Sequence, residues 1–277
     1  MVNTDKANKS RAGSLTVVGI LKFLINDTIW RVWMVALALL AWFVVTDLQL
    51  VSQLMLPSPQ RVWSTFILLA NEGYSGVSLA MHIWMSLARL IGAFLFVCII
   101  GVPLGLAIGY SKKIKAVFDP IIEFYRPVPA LAYLAVLIMW FGIGELSKIV
   151  LLFLVGLPLV TVPTSAAVVG VRPERINGAR SLGANNFQVF RYIVFPSCLP
   201  EILTSLRIAF GLSFAALVAA EMIAASSGLG WLARHGAKFL RTDVVFVSIF
   251  IMAAAALLGE WFLRWLQQRL APWSGKA

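Results

Sequence analysis

Residues 149–171 read IVLLFLVGLPLVTVPTSAAVVGV, 23 positions without a charged side chain. A helix needs about 20 apolar residues to cross roughly 30 Å of hydrocarbon. Inside that layer each backbone N–H and C=O must be satisfied within the segment, so the stretch predicts a membrane-spanning helix. The whole chain shares this character. Of its 277 residues 60% are hydrophobic and 13% charged, about half the charged share of a soluble domain. Mean hydropathy is +0.89. Too little polar surface remains to cover a water-soluble globule. A soluble enzyme, a disordered chain and a disulfide-stapled secreted domain are excluded.

Further apolar runs lie on both sides. Residues 32–46 are apolar and the character extends to about 50. Residues 90–111 and 127–144 carry no charge, 208–233 carry only Glu221, and 244–259 carry none, with apolar character continuing to about 263. The expected architecture is all-α and polytopic. A segment 1–31 precedes a transmembrane domain 32–277 with six spans at about 32–50, 88–110, 127–144, 149–171, 203–227 and 244–263. No short apolar stretch with a small-residue cleavage site precedes the first span, which reads as an uncleaved anchor. Pro103, Pro158 and Pro163 fall inside apolar runs and predict kinks. Gly101, Gly105 and Gly109 recur every four residues, the spacing of close helix packing by small residues; a gating pivot is the other reading.

The net charge is +11. The basic residues sit in short clusters between apolar runs rather than in an extended basic patch, so nucleic acid is not expected as a partner. Lys and Arg set orientation. The N-terminus, the segments 112–126 and 172–207, and the C-terminus together hold 17, against six at Arg61, Arg89, Lys148, Arg234, Lys238 and Arg241. Both termini are expected in the cytoplasm, with Glu145 to Lys148 a tight external turn. Cys98 lies in an apolar run and Cys198 in a basic loop, so neither a disulfide nor a metal site is expected.

Residues 172–200 form a cytoplasmic loop that looks structured. Pro173 suits a first helical turn and Glu174 the positive end of its dipole. Ile176, Ala179, Leu182 and Gly183 make a thin apolar stripe, and Gly183 suits a helix end. A second short helix, about 186–194, is expected to stop at Pro196.

The loop resembles the cytoplasmic motif of membrane subunits of binding-protein-dependent ABC importers: Glu-Ala-Ala, three residues, Gly, nine residues, Ile-x-Leu-Pro. Here it reads Asn177-Gly178-Ala179, three residues, Gly183, nine residues, Ile193-Val194-Phe195-Pro196. Asn177, Gly178 and Phe195 depart from the pattern. The likeness continues through Tyr125-Arg126-Pro127-Val128-Pro129, Trp140-Phe141-Gly142-Ile143-Gly144-Glu145, Leu217-Val218-Ala219-Ala220-Glu221 and Gly228-Leu229-Gly230. It is nearest to the nitrate/sulfonate/taurine class, and within it to taurine permeases. The resemblance implies an ABC-importer permease fold in a bacterial inner membrane. It implies two permeases, two ATPase subunits and a periplasmic binding protein that delivers taurine or a related substrate such as an alkanesulfonate or nitrate. Asn177, Gly178, Ala179, Arg180, Ser181, Leu182, Gly183 and Ala184 would form the coupling helix that docks on the ATPase. ATP and magnesium would belong to that subunit, since this chain has no Gly-x-x-x-x-Gly-Lys-Ser/Thr phosphate cradle.

Glu221 is the one charge within a long apolar run and must face protein or water. It reads either as lining the substrate path or, slightly preferred, as an ion pair with Arg89 or Lys148. Tyr133 and Trp140, seven residues apart, share a helical face and are path candidates, with packing the commoner role. Asp119, Glu123 and Arg126 are expected to pair with one another. His82 and His235 are read as isolated, which supports neither metal binding nor acid–base work. No catalytic residue is expected. A secondary transporter or channel would call for inverted repeats and several charged path residues, and the sequence carries neither.

Overall fold

Apolar runs and their proline and glycine punctuation fix the elements. The computed structural model describes residues 27–273. Lys6, Lys9, Arg11, Lys22 and Lys276, which enter the orientation count, and most of the segment 1–31 lie outside the described residues. The chain divides into two compact units, Met1–Trp63 and Ser64–Ala277. The first contains α1 (Asp27–Asp47), whose apolar part is Val32–Asp47. Beyond α1 the Trp42 indole N–H donates to the Pro57 carbonyl at 3.1 Å. Helix α2 (Pro59–Glu72) runs through the boundary between the units.

The second unit contains α3 (Leu79–Tyr110), α4 (Lys112–Tyr125), α5 (Ala130–Phe141), α6 (Glu145–Val169), α7 (Pro173–Ser181), α8 (Asn186–Ala224), α9 (Leu229–Lys238) and α10 (Thr242–Leu270). Among the described residues no strand occurs beyond one isolated bridge between Tyr74 and Val77. Helices α3, α6, α8 and α10 are each long and apolar enough to cross a membrane. The pair α4–α5, bent by 100°, would make a fifth crossing if it acts as one.

Prolines explain where the observed helices depart from the apolar runs. The run 127–144 yields only the 12 residues of α5, about 18 Å at 1.5 Å per residue. Pro127 and Pro129 lack N–H donors and break the entry into it. Its exit is turned by Gly142 at φ +77°. Glu145 to Lys148, expected as a turn, is the first turn of α6, and the reversal lies just before it. Pro196 does not stop a helix. The residues from Asn186 to Ala224 form one 39-residue helix, because a π turn at Phe190–Val194 precedes the proline. That wider turn sends the Phe195 N–H back to the Phe190 carbonyl, so the ring meets a loosened ladder. Pro103 follows a π turn at Val97–Gly101 in the same way. Cys198 is consequently buried in α8 rather than placed in a loop.

The long helices share one core. Leu90 and Ala93 of α3, Leu152 of α6, and Phe214 and Leu217 of α8 form a buried cluster. A methyl group on Gly105 would lie 2.7 Å from the Thr161 carbonyl oxygen, and one on Gly109 would lie 2.5 Å from Val168 Cβ, both on α6. At Gly101 the same methyl would stand at an ordinary 3.5 Å. Gly105 and Gly109 are therefore small because α6 lies against them. Replacing either with leucine is expected to lower the thermal midpoint of the detergent-solubilised chain by about 1–3 kcal/mol of stability. At Gly92 a methyl group meets nothing within 4 Å, so Gly92→Ala is expected to be neutral or stabilising by up to about 1 kcal/mol. A fluorescence melting curve of the three variants checks this.

Candidate functional site

Two places concentrate the polar chemistry. The first is a buried junction where the starts of α6 and α9 meet the end of α8 and the middle of α3. Arg89 on α3 is 3% exposed at its side chain and Glu221 on α8 is 0% exposed. The Arg89 guanidinium donates to Glu221 at 2.5 Å and to the Ser227 carbonyl at 2.8 Å. Its other edge holds Glu145 through two bonds, one from Nε and one from Nη2. Lys148, 2% exposed, reaches Glu145 at 3.3 Å and the Ala224 carbonyl at 3.2 Å. Two cations and two carboxylates thus neutralise one another, the condition for keeping charge out of water.

The Glu221 carboxylate is satisfied further. Ser86 Oγ donates to it at 2.8 Å and the Gly230 backbone N–H at 2.9 Å. The latter belongs to the first turn of α9, whose free N–H groups and dipole favour an anion. Gly228 sits at φ +124°, and a methyl group there would meet the Glu221 carboxylate carbon at 2.5 Å. One on Gly230 would meet the Val218 carbonyl oxygen at 2.5 Å. The Gly-Leu-Gly stretch is thus what lets the backbone wrap the acid. Both carboxylate oxygens of Glu221 are engaged, the arrangement of a brace between helices, and Arg89 is the partner that the sequence had offered with Lys148 as the alternative.

The two histidines are not isolated from one another. Both stack on Trp231, His82 at 5.3 Å and His235 at 4.7 Å between ring centroids. His82 Nδ1 accepts from the Gly228 N–H at 3.1 Å, beside the junction, and the Tyr74 hydroxyl lies 3.2 Å from His235 Nδ1. Burial pushes the Tyr74 phenol above its ordinary range. The spacing of 153 positions between the histidines hid this contact, which arises because α9 folds back onto the start of α3. Among the described residues no cluster of His, Cys, Asp or Glu could hold a metal ion.

The second place is α7 with the start of α8. Pro173 opens α7 and Glu174 sits in its first turn. Its end is closed by the Gly183 N–H bonding to the Arg180 carbonyl at 2.9 Å and the Ala184 N–H to that of Ala179 at 3.1 Å. This double closure needs a left-handed residue, supplied by Gly183 at φ +84°. Asn185 and Gln188 then cap α8 reciprocally at 2.8 and 2.9 Å, as a capping box does. Ile176, Ala179 and Ala184 pack on a core made by Leu106, Val168, Val189 and Ile202. Asn177, Gly178, Arg180, Ser181, Leu182 and Gly183 face outward. Leu182, expected on the packed stripe, is 91% exposed, and Phe187 and Tyr192 are 70% and 67% exposed. Leu182, Gly183, Gln188 and Tyr192 line a depression of about 320 Å³ between them.

Of the remaining candidates, Tyr133 packs at the edge of a cluster of Leu134, Leu137, Leu151 and Ala220, whereas Trp140 is 73% exposed. Asp119 pairs with Lys115 at 3.7 Å, one helical turn before it, rather than with Glu123 or Arg126. Lys115 is the opposite charge at i,i+4 spacing, whereas Glu123 is a like charge and Arg126 lies two turns away.

The model of the binding-protein-dependent transport system inner membrane component family matches residues 101–272. The chain is 45% identical over 242 residues to the taurine transport system permease protein TauC of Escherichia coli, covering 87% of this chain and 88% of that one. It is 33% identical over 248 residues to the putative aliphatic sulfonates transport permease protein SsuC of Bacillus subtilis, covering 87% and 88%. Its fold is similar to a chain of the inward-facing MetNI methionine ABC transporter, with a TM-score of 0.62 at 18% identity over 69% of this chain and 95% of that one. This chain belongs to the binding-protein-dependent transport system inner membrane component family, and it is a multi-pass inner-membrane protein.

Removing one member of the junction strands a buried charge. Glu221→Ala is expected to destabilise the chain by about 3–5 kcal/mol. The double replacement Arg89→Met with Glu221→Leu still leaves Glu145 paired with Lys148, and is expected to cost less than the sum of the two single changes. Thermal melts of the four proteins as a double-mutant cycle check the coupling.

Proposed function

We propose that this family member is the permease subunit of an ATP-driven importer for taurine or a closely related sulfonate. The observation that carries the reading is the 45% identity to a taurine permease over 87% of the chain. In this reading six spans cross the membrane, with α1 and the α4–α5 pair completing the four long helices, and both termini lie in the cytoplasm. Two copies form the path, two ATPase subunits supply the energy, and a periplasmic binding protein delivers the substrate. The chain itself is non-catalytic, and ATP and magnesium bind the ATPase subunits. An alkanesulfonate is the second substrate reading, favoured by the 33% identity to an aliphatic sulfonate permease.

The surface at α7 supports the docking role. Its C-terminal end is closed by the Gly183 turn and the helix that follows starts on a capping box, so the corner between them is a stiff element rather than a floppy connection. Its outward residues Asn177 to Gly183 carry one large exposed apolar side chain, Leu182, the type of anchor that interfaces bury at their centre. ATP binding draws the ATPase subunits together, and the docked helices shift the spans between inward-open and outward-open states. Tyr133 and Trp140 are candidates for the path wall, and Glu221 serves as a brace beside it.

The test is reconstitution of the chain with its ATPase and binding protein in proteoliposomes. Taurine is expected to stimulate ATP hydrolysis and to accumulate inside the liposomes, with nitrate doing neither. Leu182→Glu is expected to weaken ATPase copurification by about thirtyfold while leaving the melting curve unchanged. Taurine uptake in the absence of any ATPase subunit would sink the reading.

A further inference from the structure

A groove between α8 and α10 has the form of an amphiphile's negative. Its deeper part, about 400 Å³, is walled by Ile208, Gly211 and Leu212 of α8 and by Ala256 and Leu257 of α10. Ile208, Leu212 and Leu257 are 54%, 50% and 67% exposed. Its mouth, about 460 Å³, is lined by Arg207, Arg264, Gln267 and Gln268. Arg207 lines both parts, so they adjoin at its side chain.

The charge at the mouth is incomplete. Arg207 and Arg264 both donate to the same oxygen of Glu260, each at 3.1 Å. Two guanidinium groups therefore share one carboxylate, and a further anion is the complement the site lacks. The Arg207 Nε–H is buried without a hydrogen-bond acceptor, although its Nη1 reaches Gln267 at 3.0 Å.

The depth fits as well. From Arg207 to the end of α8 at Ala224 is about 26 Å of helix, and from Thr242 to Arg264 about 33 Å, at 1.5 Å per residue. Both match one hydrocarbon thickness of about 30 Å. The arginines thus stand at a membrane–water boundary, on the side of the membrane where α10 ends. The apolar walls run from there into the acyl region, where the solvent in contact with them is lipid. Basic pockets between transmembrane helices bind anionic head groups.

We infer that this groove binds one anionic phospholipid, with its phosphate between Arg207 and Arg264 and an acyl chain along Gly211 and Leu257. The site is independent of the transported substrate and of the coupling surface at α7.

Native mass spectrometry of the full-length chain in detergent tests it, with dioleoylphosphatidylglycerol and dioleoylphosphatidylcholine as probes that share the same tails. The expected result is one retained phosphatidylglycerol with a preference over phosphatidylcholine of roughly tenfold or more. Arg207→Gln with Arg264→Gln is expected to abolish the preference. Gly211→Leu provides a second variant, at a position where an added Cβ meets nothing within 4 Å. It fills the groove and is expected to reduce retention at least several-fold with an unchanged melting curve. Equal retention of the two lipids by the unmodified chain, or full preference in the double variant, overturns the proposal. So does disulfide formation between two copies carrying Leu257→Cys in native membranes, which would make this face an interface between copies.

Discussion

Three buried charges, Arg89, Lys148 and Glu221, together with the half-exposed Glu145 hold three long helices together. Arg89 bridges Glu221 and Glu145, and Lys148 closes the set against Glu145 and the last carbonyl of α8. In a low-dielectric interior none of the three buried groups is stable alone. Their mutual neutralisation fixes where α3, α6 and α8 meet and what shape the following turn must take. Gly228 and Gly230 are required there because the backbone has to approach the carboxylate more closely than any side chain would allow. α9 then starts on that carboxylate, and its position places Trp231 between two histidines.

The contrast between this junction and the surface at α7 is instructive. The junction is buried at Arg89, Lys148 and Glu221 and rich in hydrogen bonds, so it is suited to holding a geometry. The α7 surface is closed at the Gly183 turn but leaves Leu182, Phe187 and Tyr192 to the outside, so it is suited to meeting another molecule. Both lie along α8, one near each end.

Much of this was legible in the sequence because the membrane simplifies the problem. Long charge-free runs become helices for want of any other way to satisfy the backbone, and α3, α6, α8 and α10 follow. Glu221 stood out as a lone acid, and Arg89 was a sensible partner. The Gly105 and Gly109 spacing gave helix packing, and the α6 backbone does lie against both. What could not be read depended on geometry created by folding. Pro196 looks like a stop until a π turn loosens the ladder before it, and no residue type announces a π turn. Leu182 fits an apolar stripe by spacing, yet the left-handed turn at Gly183 carries the chain away and leaves it outside. Asp119, by contrast, has its one cation a single turn away at Lys115, whereas Arg126 lies two turns on and Glu123 is a like charge.

The unbroken course of α8 has a mechanical consequence. Thirty-nine residues make a rod of about 58 Å. One end carries the exposed patch beside α7 and the other is pinned at Glu221. A rod pinned at one end converts a push at the other into a tilt. Displacing the free end by about 5 Å turns the axis by only about 5° over such a length. The π turn near the free end, with Pro196 and Pro200 just after it, is where the rod's own bonding is loosened. That segment is therefore the natural joint of the rod.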